Sequence, residues 1–367
     1  MQKLFHMIAA FVAAVTATFS PQGERPAPTS GAPAHVVVAP PPAPPQLLQA
    51  LQTIGAEFNG EAGIAVRDIQ TGWTAAYRGD ELFPQQSVSK IWVALATFED
   101  IDRGRLRPED TTLVRREDLS VFHQPIRAKV GGQGYVATID ELVVGAIAKS
   151  DNAANDILMR RAGGGEAVQA VIEDKRLGAI RVGTEERLLQ ARIAGMTWRP
   201  EYSEGWSFQH ARATLPDDYR KANLDAYLAD PADGAAPAAI TAALARLRKG
   251  ELLSPASTAR LLEIMGQTET GRSRMRAGLP EGWTIQHKTG TGQELGARVT
   301  GWNDVGIVTA PDGRSYAVAV MIAQTTAPGG ERNALFQKVA RTLAEHHAKA
   351  HPAEPAQDIA QAPAPVN

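Results

Sequence analysis

The sequence predicts an α+β fold: an antiparallel β-sheet flanked by helices, with an all-helical subdomain beside it. Three observations predict it. An apolar strand pair lies near the start of the globular stretch, a long middle part carries helical spacing, and a second strand group with a closing helix ends it. Each element can be justified in order. Leu47 to Phe58 has the apolar rhythm of a helix. Gly63 to Ile69 and Trp73 to Tyr77 flank Gln70-Thr71-Gly72, a hairpin signal. Ser87 to Arg103 places Val88, Ile91, Trp92, Leu95 and Phe98 on one helical face. Ile139 to Ala148 and Ala154 to Met159 are helical in the same way. Trp283-Thr284-Ile285-Gln286 alternates as a strand does. Asp304 to Thr309 and Tyr316 to Ile322 bracket Pro311-Asp312-Gly313, a second hairpin, and Ala334 to His347 closes as a helix.

The flanks have a different character. Lys3 precedes an apolar run from Leu4 to Val15, and Val15-Thr16-Ala17 offers a cleavage site, so residues 1–20 read as a secretory signal peptide. The run is too short to span a bilayer comfortably. Residues 21–46 and 349–367 are rich in Pro and Ala and are expected to be disordered. The remaining 47–348 is long enough to bury a substantial core and shows no internal repeat. The expected address is periplasmic or secreted, with no stable membrane insertion after cleavage.

Composition excludes several functions. Among 367 residues, 38 basic and 40 acidic side chains give a formal charge of -2, which offers no basic field for a nucleic acid. The chain has no cysteine, which removes disulfides, iron–sulfur clusters, thiolate zinc sites, a cysteine nucleophile and a lipoprotein anchor together. The eight histidines are scattered without metal spacing; His346 and His347 adjoin in a helix, and His287 reads as a strand residue. No G-x-x-x-x-G-K-[ST] phosphate loop is present. No cofactor or metal is expected.

The chemistry starts at Ser87-Val88-Ser89-Lys90. Residues three apart on a helix share a face, so the Ser87 hydroxyl and the Lys90 amine can meet. Serine is a weak nucleophile without a neighbouring base, and lysine serves when desolvation and nearby cations make the neutral amine accessible. A helix start also aims N–H groups at developing negative charge. Ser150-Asp151-Asn152 lies between two helices, where its bland reading is a helix cap and turn. His287-Lys288-Thr289-Gly290-Thr291-Gly292 follows the alternating strand, and its small residues would let an edge strand approach a substrate closely. The three in this order are a far rarer event than any one of them.

On these motifs the chain resembles the class A serine β-lactamases and the related penicillin-binding proteins. The resemblance covers about 47–348 and implies their β-lactamase/transpeptidase-like fold. It implies that Ser87 is the acylated nucleophile, Lys90 its general base and Ser150 the proton shuttle to the leaving nitrogen. Asn152 would bind the substrate's side-chain amide. Lys288, Thr289 and Gly290 would line the edge strand, the first two near the substrate carboxylate, and the N–H groups of Ser87 and Thr291 would form the oxyanion hole. Arg298 stands at the offset from Lys288 where many class A enzymes carry a carboxylate-binding arginine, and a two-stranded hairpin would set it beside that strand.

Class A enzymes also hold a glutamate in E-x-x-L-N, where acid and amide fix a hydrolytic water. Here Glu186-Arg187-Leu188-Leu189-Gln190 stands at the matching distance from Ser150, with Gln190 in place of the asparagine. A second register, Trp198-Arg199-Pro200-Glu201-Tyr202-Ser203, resembles W-E-P-E-L-N but puts Arg199 where the glutamate belongs. The alternative to a catalytic role is that Glu185 and Glu186 form a solvated acidic pair. Residues 191–235 are longer than the family pattern. They carry Trp198, Tyr202, Trp206, Phe208, Tyr219 and Tyr227, so a packed segment is expected, either enlarging the loop below the site or forming a surface excursion with its own small core. The resemblance implies a monomeric serine β-lactamase that hydrolyses the β-lactam amide through an acyl-enzyme on Ser87. A D-alanyl-D-alanine peptidase or esterase on the same scaffold remains open, as does a penicillin-binding trap or sensor that acylates without turnover.

Overall fold

The computed structural model describes residues 39–352; the expected signal peptide, the linker up to residue 38 and the tail from residue 353 lie outside the described residues. Helix α1 (Pro45–Glu57) leads into strands β1 (Gly60–Asp68), β2 (Thr74–Tyr77) and β3 (Phe83–Pro84). A 3₁₀ turn (Gln86–Ser89) opens α2 (Lys90–Asp102), and β4 (Thr111–Val114) pairs with β5 (Tyr135–Thr138). Helices α3 (Ile139–Ala148), α4 (Asn152–Arg161), α5 (Gly165–Asp174), α6 (Glu186–Ile193), α7 (Ser207–Ala213) and α8 (Asp217–Ala229) follow. Strand β6 (Gly234–Ala235) precedes α9 (Pro237–Arg248) and α10 (Pro255–Gly266). Strands β7 (Thr284–Gly290), β8 (Glu294–Leu295), β9 (Arg298–Thr309) and β10 (Ser315–Thr325) then lead to α11 (Gly329–Ala350).

The main sheet runs β2-β1-β10-β9-β7, with β8 beside β9 and every pair antiparallel. It is covered on both faces. Val318, Val320 and Ile322 of β10 pack with Leu51 of α1 and with Phe336 and Leu343 of α11. The alternate residues Ala317, Ala319 and Met321 join Ile240 and Leu244 of α9 in the second core. Side chains on a strand alternate faces, so one buried on both reads as an unbroken apolar run. That is why Tyr316 to Ile322 shows no polar alternation.

The local signals work as expected with shifted ends. Asp68 Oδ1 accepts from Thr71 N at 2.7 Å in the first turn, where Gly72 takes φ 87°. Helix α1 starts two residues inside the expected linker, because Pro45 and its fixed φ suit the first helical turn. Helix α11 likewise runs two residues into the expected tail. Helix α2 is buried along most of its length, from Lys90 to Glu99, and forms the axis of the helical subdomain. The long segment 191–235 is largely helical. Trp198, Tyr202 and Phe208 pack together under α6, Tyr227 joins Leu189 and Ile193, and Trp206 and Tyr219 stay exposed. Among the described residues no helix is long and apolar enough to cross a membrane.

Candidate active site

Ser87 sits in the 3₁₀ turn rather than in the α-helix expected for Ser87 to Arg103. The tighter turn eclipses residues three apart, and Lys90 Nζ donates to Ser87 Oγ at 3.0 Å. The two residues before Ser87 are pinned. Gln85 Nε2 donates to the Arg181 and Asp233 carbonyls at 2.9 Å each, and its Oε1 accepts from Trp92 Nε1 at 2.6 Å. Gln86 takes φ 53°, a conformation costing about 1–3 kcal/mol in a residue with a side chain. Its N–H donates to Asp233 Oδ2 at 2.7 Å, which holds that backbone in place.

Lys90 is fully buried and donates also to Ser150 O at 2.9 Å and Asn152 Oδ1 at 2.5 Å. Burial lowers its pKa against the opposing pull of Glu186, Asp151 and Asp156. Ser150 is held at φ 60° and lies between two ammonium groups. Lys288 Nζ donates to Ser150 Oγ at 2.7 Å, and Lys90 Nζ is 3.5 Å away. Burial pushes the Lys288 pKa well down, and the charges of Lys90 and Arg274 add to that. Asp151 is indeed a helix cap, accepting from Ala154 N at 2.9 Å and from Ile126 N at 2.6 Å. The cap aims its neighbours inward. Asn152 Nδ2 is fixed by the Val121 carbonyl at 2.8 Å.

Strand β7 supplies the opposite wall. A Cβ at Gly290 would meet the Gln85 carbonyl at 2.3 Å, so this edge can lie against the loop before Ser87 only with glycine there. Asn303 on the neighbouring strand ties the same loop down, donating to Pro84 O at 2.8 Å and Gln85 O at 3.0 Å. Ser87, Ser150, Asn152, Glu186, Thr289 and Thr291 all line one cleft of about 390 Å³. Lys90 and Lys288 lie buried beneath it. His287 is turned away, its Nδ1 2.7 Å from Asp304 Oδ1 in a fully buried pair.

Arg298 is a correction. The register of the sheet puts Val305, not Arg298, opposite Lys288, while Arg298 pairs with Leu295 at the far end of β9. Its guanidinium binds Asp225 Oδ1 at 2.5 Å and Gln324 Oε1 at 2.6 Å, away from the cleft. Arg274, which the sequence reading missed, lines the cleft instead. It is 5% exposed, lies 4.1 Å over the Trp302 ring, and donates to the Gly290 and Asn303 carbonyls and to Thr291 Oγ1 at 2.9 Å. Burial lowers its pKa to about 10. No local pattern points to it, because its partners lie at the end of β7, just beyond it, and on β9.

Glu186 opens α6 and is 5% exposed, so it is not half of a solvated pair. Glu185 faces Arg160 and Arg187 instead. Asp156 holds the Glu186 N–H at 2.6 Å, and Gln190, one turn on, donates to Glu186 Oε1 at 2.8 Å. Glu201 lies outside the cleft lining, in an exposed pair with Arg199, so the second register does not reach the site. The long segment contributes Arg212 to the cleft wall, a residue with no signal in the sequence.

Comparison with known proteins agrees with this geometry. Residues 46–347 match the Beta-lactamase enzyme family. The chain is 26% identical over 268 residues to the β-lactamase VEB-1 of Pseudomonas aeruginosa, covering 73% of this chain and 79% of that protein. It is 28% identical over 300 residues to the β-lactamase CARB-4 of the same organism, covering 82% and 90%. A solved β-lactamase from Chitinophaga pinensis superposes with a TM-score of 0.68 at 27% identity, over 82% of this chain and 99% of that one. An ancestral class A β-lactamase superposes at 0.63 with 31% identity, over 82% and 100%. The chain belongs to the beta-lactamase enzyme family, as a serine hydrolase of the class A type.

Proposed function

We propose that the protein hydrolyses β-lactam amides through an acyl-enzyme on Ser87. The observation that carries this reading is the 3.0 Å contact from Lys90 to Ser87 Oγ in a cleft that Glu186 also lines. Ser87 Oγ bonds to the lactam carbonyl carbon while its proton passes to Lys90, whose burial makes a neutral amine accessible. The N–H groups of Ser87 and Thr291 receive the developing oxyanion. The carbon–nitrogen bond then breaks. Ser150 Oγ accepts from Lys288, so its own proton is free for the departing nitrogen, and the proton taken up by Lys90, 3.5 Å away, replaces it. Water next attacks the ester as Glu186 takes its proton, and Ser87 leaves with a proton returned to it. The product is the ring-opened acid. Asn152 binds the substrate's side-chain amide. Lys288, Thr289 and Arg274 gather around the substrate carboxylate, Arg274 taking the place expected for Arg298.

One observation favours a second reading, a penicillin trap. Both protons of the Gln190 amide are spent, on Gln86 Oε1 at 2.7 Å and Glu186 Oε1 at 2.8 Å, which leaves none to hold the hydrolytic water. A peptidase or esterase would use the same serine without an efficient water-activating carboxylate. Export as a free monomer completes the proposal, supported by the apolar leader after Lys3. Steady-state hydrolysis of a chromogenic cephalosporin by the purified chain tests it. Turnover by the wild type with none by Ser87→Ala is expected. Stoichiometric adduct on the wild type without turnover would establish the trap.

A further inference from the structure

We propose that Tyr227, in the segment longer than the family pattern, is a positioning residue for Glu186, acting through Gln86 and Gln190. The inference rests on the hydrolase reading, in which Glu186 activates water. Tyr227 OH donates to Asp233 Oδ1 at 2.7 Å and accepts from Gln86 Nε2 at 2.6 Å. Gln86 Oε1 accepts from Gln190 Nε2 at 2.7 Å, and that nitrogen also donates to Glu186 Oε1 at 2.8 Å. Gln190 Oε1 is occupied by Gln293 Nε2 at 2.8 Å.

With Asp233 ionised, the donor directions are fixed. Above its raised pKa of about 6 Asp233 is a carboxylate that only accepts, so there Tyr227 donates to it and receives only at its lone pairs. Gln86 must then present its nitrogen to Tyr227 and its oxygen to Gln190. Gln190 must turn its nitrogen towards both Gln86 and Glu186. Reversing either amide sets donor against donor among groups that are all buried, where an unmade hydrogen bond is costly. The tyrosine stays a donor because burial, reinforced by Asp233, holds its pKa well above 10. The chain thus joins α8 of the long segment to the carboxylate in the cleft. Gln190, one methylene longer than asparagine, reaches Gln86 and Glu186 at once and so holds the carboxylate rather than the water.

The test measures acylation and deacylation separately, by rapid-quench mass spectrometry with a chromogenic cephalosporin. It compares wild type, Tyr227→Phe, Gln86→Met and the double variant. Each single change is expected to slow deacylation about tenfold and to leave acylation within about twofold. The double variant should deacylate no more slowly than Gln86→Met, because the chain is already cut there. A merely structural role would instead scale both steps together through the active fraction, and its effects would add. Additive losses, or equal losses in both steps, would overturn the proposal. Should Tyr227→Phe fail to fold, Gln86→Met decides alone, since it leaves the contact between Tyr227 and Asp233 in place. Deacylation of Gln86→Met at the wild-type rate would sink this inference and leave the hydrolase reading standing. A wild type that never deacylates would bring down the hydrolase reading first, and with it this one.

Discussion

Asp156→Asn should gain stability relative to the wild type as pH rises. Asp156 is fully buried behind Glu186, where Ser120 Oγ donates to it at 2.7 Å and the Glu186 N–H at 2.6 Å. Burial, reinforced by the Glu186 charge, raises its pKa from 3.8 to about 7. Between those values the folded chain keeps a proton that the unfolded chain has released. Its contribution to stability is therefore greatest below the unfolded value and declines as pH climbs towards about 7. Roughly three units at about 1.4 kcal/mol each limit the total to about 4 kcal/mol, of which about 2 kcal/mol falls between pH 5.5 and pH 8. Asparagine removes the titration and keeps the shape. Its oxygen still accepts from Glu186 N–H and its amide can donate to a rotated Ser120 hydroxyl, while the 3.2 Å contact from Arg187 N–H is lost at a cost that does not depend on pH. Urea unfolding of both proteins across this range gives the difference directly. Asp233, raised to about 6, titrates in both and cancels. The variant's stability relative to the wild type should rise by about 2 kcal/mol from pH 5.5 to pH 8. A flat or falling difference would refute the burial argument.

The two arginines make opposite predictions. Arg274→Ala should lower kcat/KM about 10- to 100-fold for carboxylate-bearing β-lactams, mainly through KM, and spare a neutral ester of the same ring. Equal loss on both substrates would assign Arg274 to holding β7 alone. Arg298→Ala should leave kcat/KM within about twofold and lower stability in denaturant unfolding only slightly, since its partner Asp225 is solvent-exposed. A selective rise in KM would restore Arg298 to the substrate site.

The motifs were legible where chemistry depends on short spacing. Ser87 and Lys90 meet because one turn joins them, and Glu186 and Gln190 because α6 brings residues four apart together. The sheet and its two hairpins were legible from apolar runs and turn residues. What sequence spacing could not carry was register. The distance from Lys288 to Arg298 looked like a hairpin crossing, but β8 and the turn at Gly296 lie between them, so Lys288 faces Val305. Contacts made across distant elements were also invisible: Arg274 with Thr291, Asn303 with Gln85, Gln86 with Tyr227. Each of these side chains looks ordinary in its own segment. Only the packing of β7, β9 and α8 around Ser87 gives them a place in the site.

The central claim is that Ser87 is acylated and Glu186 frees it. Intact-protein mass spectrometry of wild type and Glu186→Gln, sampled over time after a penicillin is added, tests both halves at once. The Glu186→Gln variant is expected to gain one penicillin mass, mapping to the peptide that contains Ser87, and to hold it. Wild type should show the adduct only transiently while hydrolysed product accumulates. Adduct on any peptide lacking Ser87, or a Glu186→Gln variant that clears its adduct as fast as wild type, would contradict the account.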